Sequence, residues 1–465
     1  MKKLIILSLS FCLLIFQSGC DLTETNVDPT RIHDVELRLL LPNAISQTAF
    51  NQTNTTLRIA GTFMQQYRMG AGCLAYTDYV IPSYHFSRYW TDGLYGGSLK
   101  DCKVIIDQAK EQEQPYYEGI AKILMAKELG NNTLMFGDLP LSEALKGIEN
   151  LKPGYDTQED VLNHVFQLLD EAIVLLDQSP LQGSPASDDL IFDGDGERWV
   201  KTAWALKARY YMQMSKRDPE AATKTLNALN KGAFTSLEEQ PNFQWGNDRE
   251  ASPLTQFAVE RPYTMSVDKR FPEKFLVDDP RLEKYTFNEG IDWMYYDNEN
   301  PSRLHWAAPH AVVPIISYVE LAFLKAEALW RTGADAASIQ AALEDGVISS
   351  MQQLNLEEST YQPYIDAMEQ LSVMSRNKQL EYIIEEAYKA YFGYAVLQNW
   401  NNYRRTGYPE ISPSPYGSHG LNPEGGIPKR YLYPDHEELH NAENLDAAKA
   451  RQGGALMDAP LWIFE

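Results

Sequence analysis

Basic residues are scarce in this chain: 41 Lys and Arg stand against 64 Asp and Glu in 465 residues, a formal net charge of -23. So acidic a surface repels phosphate backbones, which argues against nucleic acid as a partner, and it offers no polybasic grip on anionic lipid. The expected ligands are neutral, or are presented by another protein. Cysteine is sparse too, with four residues and neither a C-x-x-C nor a Cys/His spacing suited to a metal. Beyond the N-terminus no apolar run approaches the ~20 residues that span a bilayer. What the chain does have is 44% hydrophobic and 11% aromatic residues, enough for a large buried core and unlike a disordered composition.

Lys2 and Lys3 precede an apolar run from Leu4 to Phe16, followed by Gln17-Ser18-Gly19-Cys20. A basic start, a short apolar core and small residues at its end describe an export signal over residues 1–19. Ser18-Gly19 directly before Cys20 resembles a bacterial lipobox, which implies acylation of the Cys20 thiol after cleavage. Acyl chains contribute about 0.8 kcal/mol per buried CH2, so two or three of them hold a protein stably on a membrane. Residues 20–35 are polar and contain Asp28-Pro29, the composition of an extended lipidated tether. With Cys12 in the leader and Cys20 acylated, Cys73 and Cys102 remain, either as a disulfide or as two buried thiols.

Helical periodicity dominates from residue 36 onward. In 158–177 the residues Val161, Val165, Leu168, Leu169, Ala172 and Leu176 fall on one helix face, and Thr157 with Asp160 supplies a capping-box-like start. In 317–331 the polar residues Glu320, Glu327 and Arg331 form one narrow stripe on an otherwise apolar helix, which is therefore mostly buried. Small residues recur in 116–129, 199–215 and 318–331, among them Gly119, Ala126, Ala205 and Ala326. They let neighbouring helices approach closely. With further helices at 218–230 and 335–351 they form degenerate tetratricopeptide-type hairpins, and more helices are expected at 36–49, 99–111 and 376–400. The stretches 67–95, 178–198, 232–315 and 401–465 are long and irregular, and such loops on a helical scaffold carry function. The expectation is a mostly α fold: a single domain over 36–465, with tetratricopeptide-like hairpins and long inserted loops packed onto them.

An ordered set of short motifs runs through this pattern. Trp90-x-x-x-x-Tyr95 precedes one helix, and Phe136-Gly137-Asp138-Leu139-Pro140 follows another. Gly194-Asp195 and Trp199 lead into Ala205-Leu206-Lys207-Ala208-Arg209, and Ala326-Glu327-Ala328 sits in the apolar helix. Near the end come Arg404-Arg405-Thr406-Gly407-Tyr408-Pro409, Ile427-Pro428-Lys429-Arg430, Tyr433-Pro434 and Asn441-x-x-Asn444. Together with the lipobox these resemble the SusD/RagB family of outer-membrane lipoproteins, in particular its SusD-like branch, from Cys20 to the C-terminus. The resemblance implies a surface-exposed, lipid-anchored protein of the outer membrane that binds oligosaccharides, without catalysis, as a lid over a SusC-like TonB-dependent transporter. Some relatives look like peptide binders, which is the alternative ligand class. The motif residues themselves are read as architectural.

A sugar offers hydroxyls and an apolar C–H face, so its site needs flat rings and a few polar partners. Two loop segments supply both: 76–90, with Tyr79, Tyr84, His85 and Arg88, and 293–306, with Trp293, Tyr295, Tyr296, Asn298, Arg303 and Trp306. They are expected to converge on one exposed face, with Trp90 belonging to the scaffold. Catalytic signals are weak. His436-Glu437-Glu438-Leu439-His440 spells H-E-x-x-H, a zinc-protease string on a helix, but Pro434 puts His436 in a first turn and no third ligand follows. Asp193-Gly194-Asp195 resembles the start of a calcium loop, yet Trp204 stands where the bidentate Glu belongs. A looser cation site at Asp188, Asp189, Asp193 and Asp195 is the remaining option. No cofactor, no metal and no catalytic residue is expected.

Overall fold

The computed structural model describes residues 35–70, 72–178, 183–286 and 307–465. The leader, Cys20 and the tether up to residue 34 lie outside them, as do Trp293, Tyr295, Tyr296, Asn298, Arg303 and Trp306.

Helices carry the architecture. The chain opens with α1 (Leu37–Thr53) and α2 (Thr55–Phe63), then α3 (Leu99–Glu111) and α4 (Pro115–Phe136). Next come α5 (Gln158–Leu176), α6 (Gly196–Gln213), α7 (Ala221–Gly232) and α8 (Pro253–Glu260). The second half adds α9 (Tyr318–Thr332), α10 (Ala336–Gln353), α11 (Glu358–Asp366) and α12 (Arg376–Ala390). Last are α13 (Val396–Thr406), α14 (Asp435–His440) and α15 (Ala442–Arg451). The pairs α4/α5, α6/α7 and α9/α10 pack as successive hairpins, the arrangement expected from the small-residue texture.

Local chemistry explains the hairpins. The Thr157 hydroxyl accepts from the Asp160 amide at 3.2 Å and starts α5, a cap worth about 1 kcal/mol. The face Val161, Leu162, Val165, Leu168, Leu169, Ala172 and Leu176 is then buried as one stripe. Gly119 shows why small residues are needed: a Cβ there would stand 2.6 Å from Cγ of Leu176, so any side chain would push α4 off α5. Glu320 and Glu327 of the polar stripe of α9 are buried as well. Arg209 donates Nε and Nη2 to the Glu320 carboxylate, each at 2.6 Å, and Arg405 donates to Glu327. Two buried ion pairs thus tie α6 and α13 to α9, each charge answered by a fork of donors.

The C-terminus of α4 sits in the core; Thr133 O still accepts the Gly137 amide, but Leu134 O, Met135 O and Phe136 O lie beyond the intrahelical ladder. Each finds a donor from a sequence motif or its neighbour. Thr133 O accepts from Gln158 Nε2 at 2.6 Å, Leu134 O from Arg404 Nη1 at 2.7 Å, Met135 O from the Tyr431 amide at 2.9 Å, and Phe136 O from Arg430. Asp138 receives the Gln158 amide at 3.0 Å and Arg451 Nη2 at 2.8 Å, and Tyr433 donates to Asp138 O at 2.8 Å. Gly407 ends α13 at φ +84°, a left-handed cap that glycine adopts without steric cost. Several of the motifs, read from the sequence only as architectural, are therefore fasteners around one helix end.

Among the described residues, three two-stranded antiparallel pairs tie the inserts to one another and to the scaffold. Tyr67–Met69 pairs with Met265–Val267, Leu139–Pro140 with Tyr155–Asp156, and Asn242–Gln244 with Val312–Pro314. The expected helix over 376–400 is two helices, because Gly393 takes φ +78° between α12 and α13. The stretch 232–315 is less irregular than expected, since it contains α8, started by Pro253 at its first position.

Candidate functional site

Trp90 and Tyr95 belong to a π-helical segment, Tyr89–Ser98, that runs into α3. In an i→i+5 helix, residues five apart lie one above the other, so their rings meet with centroids 5.0 Å apart. Trp90 is buried and donates Nε1 to Glu437 at 3.2 Å, the scaffold role expected of it. The opposite side of the same segment, Arg88, Tyr89, Asp92 and Gly93, forms one wall of a cleft of about 510 Å³. The other walls come from α1 and α2 (Gln47, Phe50, Asn51, Asn54, Thr55, Arg58) and from α8 and its exit (Pro253, Gln256, Phe257, Glu260, Arg261).

Tyr84 and His85 stand at this cleft with ring centroids 4.3 Å apart and planes 35° apart. Tyr84 is 59% exposed and presents a bare face. His85 is backed by Tyr76, whose hydroxyl lies 2.7 Å from Nδ1. Partial burial lowers the His85 pKa, so the ring is neutral at neutral pH. Arg88 is almost wholly exposed and loosely paired with Asp92 at 3.4 Å. Phe50 adds a second partly exposed ring. The floor is fixed by Asn51, which donates to Gly93 O, Ser98 Oγ and Glu128 Oε2 at 2.9–3.0 Å.

Of the sequence-derived candidates, Tyr84, His85 and Arg88 are brought together here. Tyr79 is not: it is 1% exposed, its ring meets Phe63 edge-on, and its hydroxyl accepts from the Ser414 amide at 3.0 Å. This corrects its assignment as a stacking ring, because a left-handed turn at φ +66° aims it into the core. The candidates in 293–306 lie outside the described residues. Phe50, Arg58, Phe257 and Arg261 were missed; they sit on α1, α2, α8 and just past its end, and their grouping shows only when these elements meet.

Glu437, Asp188, Asp189 and Asp195, on which the rival chemistries would draw, are otherwise engaged. Glu437 accepts from Trp90 Nε1 and from the Tyr155 hydroxyl, the latter at 2.6 Å, so it clamps the π-helical segment to the C-terminal region. Asp189 accepts the Gly194 amide at 3.0 Å and Trp199 Nε1 at 2.7 Å, and Asp195 caps α6 through the Arg198 amide. Asp188 receives the Tyr117 hydroxyl at 2.7 Å. Among the described residues no group of three or more His, Cys, Asp or Glu is arranged to hold a metal. Cys73 and Cys102 are free thiols, the second buried, and no described helix is long and apolar enough to cross a membrane.

Comparison with known proteins agrees with this fold. A SusD/RagB family protein from Bacteroides thetaiotaomicron superposes with a TM-score of 0.75 at 22% identity, covering 93% of this chain and 99% of that one. A chitin-binding SusD homologue from Flavobacterium johnsoniae gives 0.76 at 17% identity, over 91% and 98%. An outer-membrane protein from Bacteroides vulgatus, described as probably involved in nutrient binding, gives 0.73 at 22%, over 93% and 100%. No curated protein matches the sequence. The model of the SusD-like family, described as starch-binding and associating with the outer membrane, matches residues 29–434, and the chain belongs to that family.

Proposed function

We propose that this protein is a non-catalytic capture lipoprotein: it holds oligosaccharides at the cell surface and passes them to a SusC-like TonB-dependent transporter. The observation that carries this reading is the bare Tyr84 ring, backed by His85, at the mouth of a cleft large enough for a short oligosaccharide. A pyranose stacks its C–H face on such a ring, while Gln47, Asn54, Gln256 and Arg88 around it answer the hydroxyls. Nothing in this arrangement requires a bond to break. The anchor in this reading is acylated Cys20, which holds the body at the outer membrane while the helical scaffold stays in water. The chitin-binding relative supports the same class of ligand.

Isothermal titration against starch-, chitin- and galactan-derived oligosaccharides tests the reading, alongside pull-down of a peptide mixture. Saccharide binding that drops roughly tenfold in Tyr84→Ala, the loss of one stacking contact, is the expected result. Peptide capture without saccharide binding would replace it with the peptide-binding alternative.

A further inference from the structure

Among the described residues, two arginines at the cleft have no carboxylate partner. Arg58, on the first turn of α2, is only 8% exposed. Its guanidinium lies 3.9 Å over the face of Phe257, and Arg261 lies over the same ring at 5.5 Å. Arg58 donates Nη1 to Asn54 Oδ1 at 2.9 Å and Nη2 to Thr55 Oγ1 at 3.2 Å. Both acceptors are neutral, and a guanidinium carries more N–H donors than these two bonds use. Neither arginine forms an ion pair with a carboxylate among the described residues. On the scaffold Arg209, Arg281 and Arg405 each face a carboxylate, and Arg404 and Arg430, which do not, spend their donors on the carbonyls at the end of α4 and beside it; Arg58 has only the two neutral side-chain acceptors. The other charges lining the cleft are Arg88 with its partner Asp92, and the exposed Glu260.

Keeping two guanidiniums on one ring costs free energy. Burial, and then repulsion from Arg261, lowers the Arg58 pKa to about 10. Two guanidiniums on one ring, with donors to spare and no carboxylate partner among the described residues, form an arrangement that an anion would complete.

We infer that the cleft takes an acidic saccharide, with its sugar face on Tyr84 and its carboxylate or sulfate ester between Arg58 and Arg261. This deepens the glycan-capture reading and rests on it, and it replaces the sequence-based expectation of an uncharged ligand. The long-range field of the acidic surface opposes such a ligand, but at ~0.15 M salt that field is screened within about 8 Å, whereas the two guanidiniums act at contact.

Titration of the purified protein with four tetrasaccharides tests it: tetragalacturonate, its carboxyl-reduced product, a sulfated galactan tetrasaccharide and maltotetraose. One or both anionic sugars should bind at least about tenfold more tightly than the carboxyl-reduced one, the difference expected of a charged hydrogen bond. Arg261→Gln, at an exposed position, should erase most of that preference, bringing the anionic sugars to within about threefold of the carboxyl-reduced one. Arg58→Gln, checked by its melting temperature, should do the same. Whichever anion is preferred identifies carboxylate or sulfate as the recognised group. Equal affinity for neutral and anionic sugars, or a preference that survives Arg261→Gln, overturns the inference and leaves glycan capture standing. Binding of none of the four while peptides are retained overturns both.

Discussion

Arg404→Met removes the donor that holds the buried end of α4. The Arg404 guanidinium bonds to Leu134 O at 2.7 Å and Lys429 O at 2.9 Å, and it lies 3.7 Å over Trp400 and 4.3 Å over Phe464. Methionine keeps most of the packing between the rings but leaves both carbonyls dry. An orphaned buried acceptor costs about 1–3 kcal/mol, and the loss of a cation at a helix C-terminus adds up to ~1 kcal/mol. Against this, burial already holds the Arg404 pKa well below its usual value, so removing the charge returns part of that penalty. The expected net loss is roughly 2–4 kcal/mol, a large fraction of the 5–15 kcal/mol typical of folded proteins. Urea unfolding followed by fluorescence of the 9 tryptophans reads it directly. Arg404→Lys should recover only part of the loss, because an ammonium lacks the fork that reaches both carbonyls. A loss in Arg404→Met below about 0.5 kcal/mol, the range of ordinary surface changes, would refute the view that these motifs are fasteners.

Four further outcomes follow from the same geometry. Glu327 is buried; desolvation alone would raise its pKa, but Arg405 and Arg331 hold it below the usual carboxylate range. The stability it contributes is therefore complete above the unfolded carboxylate pKa and is lost as pH falls through the lower folded value; Glu327→Gln should flatten that part of the stability profile below about pH 4.5. Glu437→Ala should cost about 1–3 kcal/mol in the same unfolding assay by stranding Trp90 Nε1 and the Tyr155 hydroxyl, whereas His436→Ala and His440→Ala should stay within about 0.5 kcal/mol. Plasma emission on the purified protein should show substoichiometric zinc; one zinc per chain would revive the metalloenzyme reading. Gly119→Leu should cost at least about 1–3 kcal/mol by overpacking against Leu176, and an unchanged melting temperature would show that α4 and α5 are not locked at that point.

Much of the scaffold was legible because buried helices print their faces on the sequence. Thr157, Asp160 and the stripe from Val161 to Leu176 define α5 and its cap without any tertiary information. Glu320 and Glu327 marked a polar line in an apolar helix, although their partners Arg209 and Arg405, 111 and 78 residues away, could not be read as partners from local pattern. The break at Gly393 was missed because both flanking segments keep helical apolar spacing. Within the site, Tyr84, His85 and Arg88 were found by composition, the same signal that wrongly included Tyr79. A single left-handed residue separates the exposed tyrosine from the buried one, and ring content does not encode that turn. Arg58, Phe257 and Arg261 were invisible for a different reason: each is unremarkable on its own helix, and the stacked pair of cations exists only where α2 and α8 meet.

The claim at the centre of this account is that an oligosaccharide occupies the cleft between α1, α2, the π-helical segment and α8. Hydrogen–deuterium exchange with and without a saturating oligosaccharide tests it most directly. Protection should appear in peptides covering 47–58, 83–93 and 253–261, with intact sugar recovered afterwards. Protection confined to other segments, or cleavage of the sugar during incubation, would contradict it.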